Sequence, residues 1–453
     1  MSPLDRTIQP TAGPLRPFDF PEITGARLSN GIPLETVALP RLPVVTAFLS
    51  LRAGEEGLME ERGGLSILTG DALEGGTKRR SGAALAEALE DLGADVDVHT
   101  GWSGTTVSLS CLADRLPGGL ALLGEMVREP SFPEDEVARA RQQQMARIRQ
   151  GSMDPGTLAS QRMMAEIYAD GETYGRPAIG REKVVEGFVV DTLRGYAEGF
   201  YQATGAALVV AGDVDPDEVR SAADGVFGDW AGRPMSDQVP EGRSRPGGSR
   251  VVVVDMPNAV QAEIRIAHVG VARSYPNFAA LQVGNAILGG TFSSRLNLNL
   301  REKNGFTYGV RSRFAARRGP GPFSISTAVD TENTPAAIRE AFFELRKLLD
   351  DGPSLEEVEA TRDYLAGIFP LRLESTGQVA SRVAEIRTFG LPQDEWTSYR
   401  DRIRAVTPEA ALAALRETIR PDELVVVAAG NAAGLTAGLE ALEIGPVQVI
   451  SKD

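Results

Sequence analysis

Histidine and cysteine are the side chains best suited to gripping a metal ion or attacking a substrate near neutral pH. This chain has only His99, His268 and Cys111. In "DVDVH", Asp95, Asp97 and His99 share one face of a strand, because strand side chains alternate. A zinc site needs three or four well-placed ligands, so the trio is expected to form a solvated or partly paired strand face instead. His268, inside "AEIRIAHVGV", is expected to be a hydrogen-bonded sheet residue. Cys111 has no partner for a disulfide and is expected to be a small buried hydrophobe.

The elements that would hold any site come from a chain of 453 residues, enough for two or more domains with full cores. Hydrophobic residues make up 42% and charged residues 24%, an ordinary globular balance. The net charge of −15 lacks the basic footprint of a nucleic-acid binder. No run of about 18 apolar residues occurs, and no cationic-then-apolar leader is visible. These features lead to the expectation of a cytoplasmic protein with neither a nucleic-acid nor a membrane partner.

Residues 233 to 250, "RPMSDQVPEGRSRPGGSR", are dense in Pro, Gly, Ser and charge and break every apolar period. On either side of them lie three paired anchors. "LEGGT" ending at Thr77 matches "LGGT" ending at Thr291, "PSFPEDEV" at Val137 matches "PSLEEV" at Val358, and "ALVVAGDV" at Gly212 matches "LVVVAAGN" at Gly430. Their separations of 214, 221 and 218 residues are nearly constant, which implies a duplicated domain. The expected division is 1–235 and 250–453, joined by 236–249.

Each half reads as strands, helices, a strand pair, long helices and a closing apolar strand, an α+β arrangement with a mostly antiparallel sheet packed with helices. In the second half the pattern predicts helices over about 275–288 and 293–303, the latter capped at Asn304-Gly305. It also predicts strands in "FTYGVRSRF" and "FSISTAVD", and a helix with Thr334 as N-cap and Ile338, Phe342, Leu345 and Leu349 on one face.

The duplicated halves, the "GLSILTGDALEGGT" segment and "RLNLNLREKNGFTYGV" together resemble the pitrilysin-type zinc metallopeptidases, which include mitochondrial processing peptidase. Active members carry the inverted zinc motif H-x-x-E-H in the helix before the Gly-Thr turn. Here that motif falls on Ile67, Leu68, Thr69, Gly70 and Asp71, so both histidines and the glutamate are missing. The resemblance also implies a third ligand, a glutamate some seventy residues downstream. Residues 137 to 153, "VARARQQQMARIRQGSM", contain no carboxylate. The chain alone is therefore expected to hold no zinc and to be inactive, with Ile67, Gly70 and Asp71 as degenerate motif positions.

The resemblance further implies a role for Arg301 and Tyr308, seven residues apart in "LREKNGFTYGV". In the family such a pair binds the peptide and donates to the oxyanion across the active site, a task suited to a guanidinium and a phenol. Without that resemblance, the arginine would be a surface residue paired with Glu302 and the tyrosine a sheet residue. Keeping the pair while losing the zinc motif implies one half of a heterodimer. Its partner would be a homologous subunit bearing the zinc, and its substrates unstructured peptides, basic or neutral ones given the acidic charge. The alternatives are a non-catalytic core-type structural subunit, a peptide-binding scaffold, and an autonomous homodimer with a non-standard site, which the ligand count disfavours. Residues 93 to 100 match the stretch beside the edge strand onto which substrates add in the family.

Overall fold

The computed structural model describes residues 13, 15–236 and 238–451. In the first half, β1 (Thr24–Arg27) and β2 (Pro33–Ala38) form a hairpin turning at Gly31, whose φ of 90° suits glycine. β3 (Val44–Leu51), α1 (Leu65–Asp71) and α2 (Gly82–Asp91) follow, then the hairpin β4 (Asp95–Thr100) and β5 (Thr105–Leu112). Next come α3 (Leu116–Arg128), α4 (Glu134–Gly151), α5 (Pro155–Ile167), α6 (Glu182–Glu186) and α7 (Val190–Phe200). β6 (Ala206–Gly212), buried along its whole length, and α8 (Pro216–Phe227) complete the half. The strand order is β1-β2-β6-β3-β5-β4, with β2 and β6 parallel.

The second half repeats the plan with β7 (Arg250–Asp255), β8 (Gln261–Val269) and α9 (Phe278–Asn285), which runs on into a π-helical turn, Ala286–Gly290. A second π-helical segment, Asn297–Lys303, precedes the hairpin β9 (Val310–Phe314) and β10 (Pro322–Asp330). Then come α10 (Thr334–Asp351), α11 (Leu355–Ile368), α12 (Thr376–Phe389), α13 (Tyr399–Arg404), α14 (Pro408–Thr418), β11 (Val425–Gly430), α15 (Ala432–Glu440) and β12 (Val447–Ser451). The order is β12-β7-β11-β8-β10-β9, with β7 and β11 parallel.

Five strands correspond one to one between the sheets, in order and in direction, and the three sequence anchors fall at matching places. Thr77 and Thr291 follow the helical segments after β3 and β8, Val137 and Val358 lie in α4 and α11, and Gly212 and Gly430 end β6 and β11. The chain is thus two tandem α+β units. Only the outermost strand differs: β1 comes from before β2 and pairs antiparallel, whereas β12 comes from the far end of its unit and pairs parallel.

The units exchange helices. α5 lies across β8 and β11 of the second sheet, burying Ala159, Met163 and Ile167 among Val252, Val254, Ala267, Val269 and Val427. α12 lies across β3 and β6 of the first, and Val379, Ala380 and Val383 share a core with Val37, Val209 and Ala211. At about 1.5–3 kcal/mol for each large apolar side chain removed from water, these faces hold the halves together strongly. The two hairpin tips also meet. Arg317 of the β9–β10 tip stacks on Trp102 of the β4–β5 tip and on Tyr174, at 4.8 and 4.4 Å, while Arg318 pairs with Glu56 at 2.7 Å.

Three local expectations shift. The helix predicted over 293–303 is π-helical from Asn297, and β9 begins at Val310, two residues after Tyr308. Asn333, one residue before Thr334, holds the N-cap of α10 and makes no side-chain cap bond. Ile338, Phe342, Leu345 and Leu349 are buried along α10 as the spacing requires. Among the described residues no helix is long and apolar enough to cross a membrane.

Candidate functional site

α1 is anchored at its start by Glu55, which is fully buried. Its carboxylate accepts from the backbone N–H of Gly64 and Ser66 and from the Ser66 hydroxyl, at 3.0, 3.1 and 2.6 Å, so it satisfies donors that a helix start leaves open. Arg176 pairs with it at 2.8 Å. Gly64 has φ 88°, and a Cβ there would lie 2.5 Å from the Ile179 carbonyl oxygen. The helix is held firmly although it carries none of the family's metal-binding residues.

At the zinc-motif positions, Ile67 is half-buried, Gly70 is buried and Asp71 reaches the surface. A Cβ on Gly70 would stand 2.3 Å from Thr100 Oγ1 and 3.5 Å from Val98 Cγ1. The bare centre of the helix is therefore where β4 crosses it, and a glutamate does not fit there. Asp71 is ion-paired with Arg147 of α4. Arg147 lies in the segment where the resemblance implies the third ligand, so a cation takes the place of an anionic donor. An apolar side chain, a glycine and an arginine-bound aspartate do not suit a zinc ion. Among the described residues no group of three or more His, Cys, Asp or Glu could hold a metal elsewhere.

Asp95, Asp97 and His99 face outward on β4, at the edge of the first sheet. His268 is buried; its Nδ1 lies 2.8 Å from the Val269 carbonyl and its Nε2 accepts from the Arg420 N–H at 3.3 Å. Burial pushes its pKa down to about 4. Cys111 is buried too, which raises its thiol to about 11 and leaves it unreactive at neutral pH.

Arg301 and Tyr308 flank a tight reversal. The N–H of Gly305, at φ 66°, donates to the Arg301 carbonyl at 3.1 Å, and the Phe306 N–H donates to that of Leu300 at 2.8 Å. Upstream, the Asn304 N–H bonds back five residues to Asn299, the π pattern that recurs at functional sites. Arg301 lies over the Phe292 ring at 4.4 Å and approaches Glu302 at 3.4 Å, an exposed and therefore weak pairing.

Tyr308 is 95% exposed. Its backbone is nonetheless pinned on both sides: Gly309 N–H donates to Thr307 Oγ1 at 3.1 Å, and Asn297 both accepts from the Val310 N–H and donates to the Val310 carbonyl. The bend is ordered while the ring stands in solvent. Sequence reasoning missed Phe292 as the platform for Arg301, Arg147 as the partner of Asp71, and Arg311 and Arg313, both exposed on β9. The alternating "RSRF" carried the signal for the last two.

A family model described as "Insulinase (Peptidase family M16)" matches residues 40–181, and one described as "Peptidase M16 inactive domain" matches residues 188–365. An uncharacterized zinc protease of Streptomyces coelicolor is 25% identical over 407 residues, covering 88% of each chain. A non-peptidase homolog of Helicobacter pylori is 21% identical over 354 residues, covering 78% of this chain and 81% of that protein. The crystal structure of a peptidase M16 inactive domain from Pseudomonas fluorescens superposes with a TM-score of 0.84 at 25% identity, covering 90% of this chain and 98% of that one. With its tandem units, its Gly-Thr turns and a first helix emptied of metal ligands, the chain belongs to peptidase family M16, the pitrilysin-type metallopeptidases.

Proposed function

We propose that this chain is the zinc-free subunit of a two-chain M16 peptidase, acting in a reducing compartment such as the cytoplasm. Its homologous partner would carry H-x-x-E-H, and Arg301 and Tyr308 would complete that partner's site. The observation that carries the reading is the pinned bend at Thr307–Gly309 with Tyr308 held 95% exposed beside Arg301. Keeping a large ring in water on an ordered backbone gains nothing for folding, so the reading gives the ring a partner. Arg301, oriented on Phe292, would clasp a peptide carbonyl through its N–H groups, and the Tyr308 O–H would donate to the oxyanion that forms during hydrolysis. The emptied α1 agrees with a division of labour between two chains.

The test mixes this chain with a zinc-bearing homologue and follows cleavage of an unstructured peptide. Tyr308→Phe is expected to lower kcat by on the order of 10² to 10³, the usual cost of losing one oxyanion donor. Arg301→Ala is expected to raise KM as well, since its contacts also exist in the ground state. Full activity from the double variant, or from the homologue alone, would remove this chain from the reaction.

A further inference from the structure

Next to the β9–β10 tip, the second half holds a hollow of about 280 Å³. α9, α11 and α12 wall it, together with the stretch that leads into α13, and Ala316 of the tip lines it as well. Phe278, Phe369, Trp396 and Tyr399 give it an aromatic wall, in which the Phe369 ring lies 4.5 Å from Tyr399 and 6.0 Å from Trp396. Three arginines and one carboxylate, Glu385, share the lining. Two of the arginines are already answered. Arg382 pairs with Glu385 at 2.7 Å, and Arg273, buried over the Phe278 ring, pairs with Glu395 at 2.7 Å. The second pair is architecture repeated by the duplication, since Glu55 and Arg176 stand 218 and 219 residues earlier with the charges exchanged. That leaves Arg372, exposed in the turn after α11, which makes no ion pair among the described residues. Burial raises the Tyr399 phenol, and the Arg372 guanidinium is the foremost charge opposing that rise, so it stands close to the aromatic wall.

We infer that this hollow binds a small aromatic carboxylate, its ring laid against Trp396 and Phe369 and its carboxylate paired with Arg372. The volume is at the lower end for small-molecule sites, so it admits one ring and a short acid arm but no long alkyl chain. An inorganic anion would leave the aromatic wall bare, and a neutral ring would leave Arg372 unanswered. A monocarboxylate meets one guanidinium with one charge, in the two-pronged geometry that suits both groups. Burial also raises the Glu385 carboxyl, although Arg382 lies beside it. The hollow is therefore poorly hydrated, and a charge pair inside it is weakly screened. Tyr308 precedes β9 and Ala316 follows it, so the hollow lies at the other end of that strand and stands apart from the role proposed for Arg301 and Tyr308.

The experiment is titration calorimetry of the purified full chain with phenylacetate. The wild type is expected to bind one equivalent. Phenylacetamide, which keeps the ring, and acetate, which keeps the charge, should each bind at least about ten-fold more weakly. Arg372→Gln should weaken phenylacetate by at least about ten-fold and leave phenylacetamide unchanged; an exposed side chain can be exchanged without disturbing the fold. Trp396 is one of three tryptophans, so phenylacetate should also change the chain's fluorescence, and Trp396→Phe should abolish that change. No binding at about 10 mM phenylacetate, equal binding of acid and amide, an Arg372→Gln variant that binds the acid like the wild type, or a fluorescence change that survives in Trp396→Phe would each overturn the inference.

Discussion

At Gly70 a single missing side chain reports both the family's history and the fold's tolerance. Its Cβ position is filled by Thr100, so Gly70→Ala is expected to cost about 1–3 kcal/mol by chemical denaturation, as other overpacked sites do. Adding Thr100→Ala should recover most of that loss; if it does not, the close approach to β4 is not the reason for the glycine. His268 supports a second expectation. Its folded pKa of about 4 lies below the ordinary histidine value of 6.5, so above pH 6.5 neither state binds the proton and stability is full. Between pH 6.5 and 4 the unfolded chain takes a proton that the native state refuses. Stability should therefore fall across that window by up to about 3 kcal/mol and then level off. His268→Gln should flatten this part of the pH profile, and an unchanged profile would show that another group controls it. Both residues were named from the sequence, but Arg147 was not, because nothing local in "MARIRQ" says that its guanidinium crosses to Asp71.

The elements themselves were largely legible, because alternation and helical spacing are local signals. The exceptions are instructive. The turns around 286–290 and 297–303 are π-helical, and an apolar period near 3.6 does not distinguish i→i+4 from i→i+5 bonding. Tyr308 falls outside β9 because Thr307 and Asn297 tie the backbone into a bend, a tertiary constraint that strand-forming residues do not reveal. Nor did the apolar faces of α5 and α12 say which sheet each would cover. That crossing yields a testable contact: Arg387 of α12 bonds the buried carboxylate of Glu35 on β2 at 2.7 Å. Burial raises the Glu35 pKa even with this arginine beside it. Arg387→Ala should cost about 3 kcal/mol in a urea titration by stranding that carboxylate, and Glu35→Met/Arg387→Ala should cost much less. Equal losses in the two variants would mean that the pair is incidental to the seam between halves.

For the molecule as a whole, duplication was readable from three anchors, whereas the exchange of α5 and α12 was not, since it relates residues more than 80 positions apart in sequence. Because each sheet is covered by the other unit's helix, the halves are expected to melt together. Calorimetry of the full chain should give one transition, and two resolved transitions would show that the exchanged helices contribute little to cooperativity. The same exchange sets what a severed half would do. The arrangement is that of a domain-swapped dimer whose two protomers have been fused into one polypeptide, with the stretch near residues 236–249 as the weld. Residues 250–453 made alone would leave β8 and β11 without α5 while their own α12 had no β3 and β6 to cover, so a single half is an open-ended piece that recruits a complement or aggregates. A nick at the weld should therefore leave two fragments that stay together, as strands of a rope do after the knot at their end is cut.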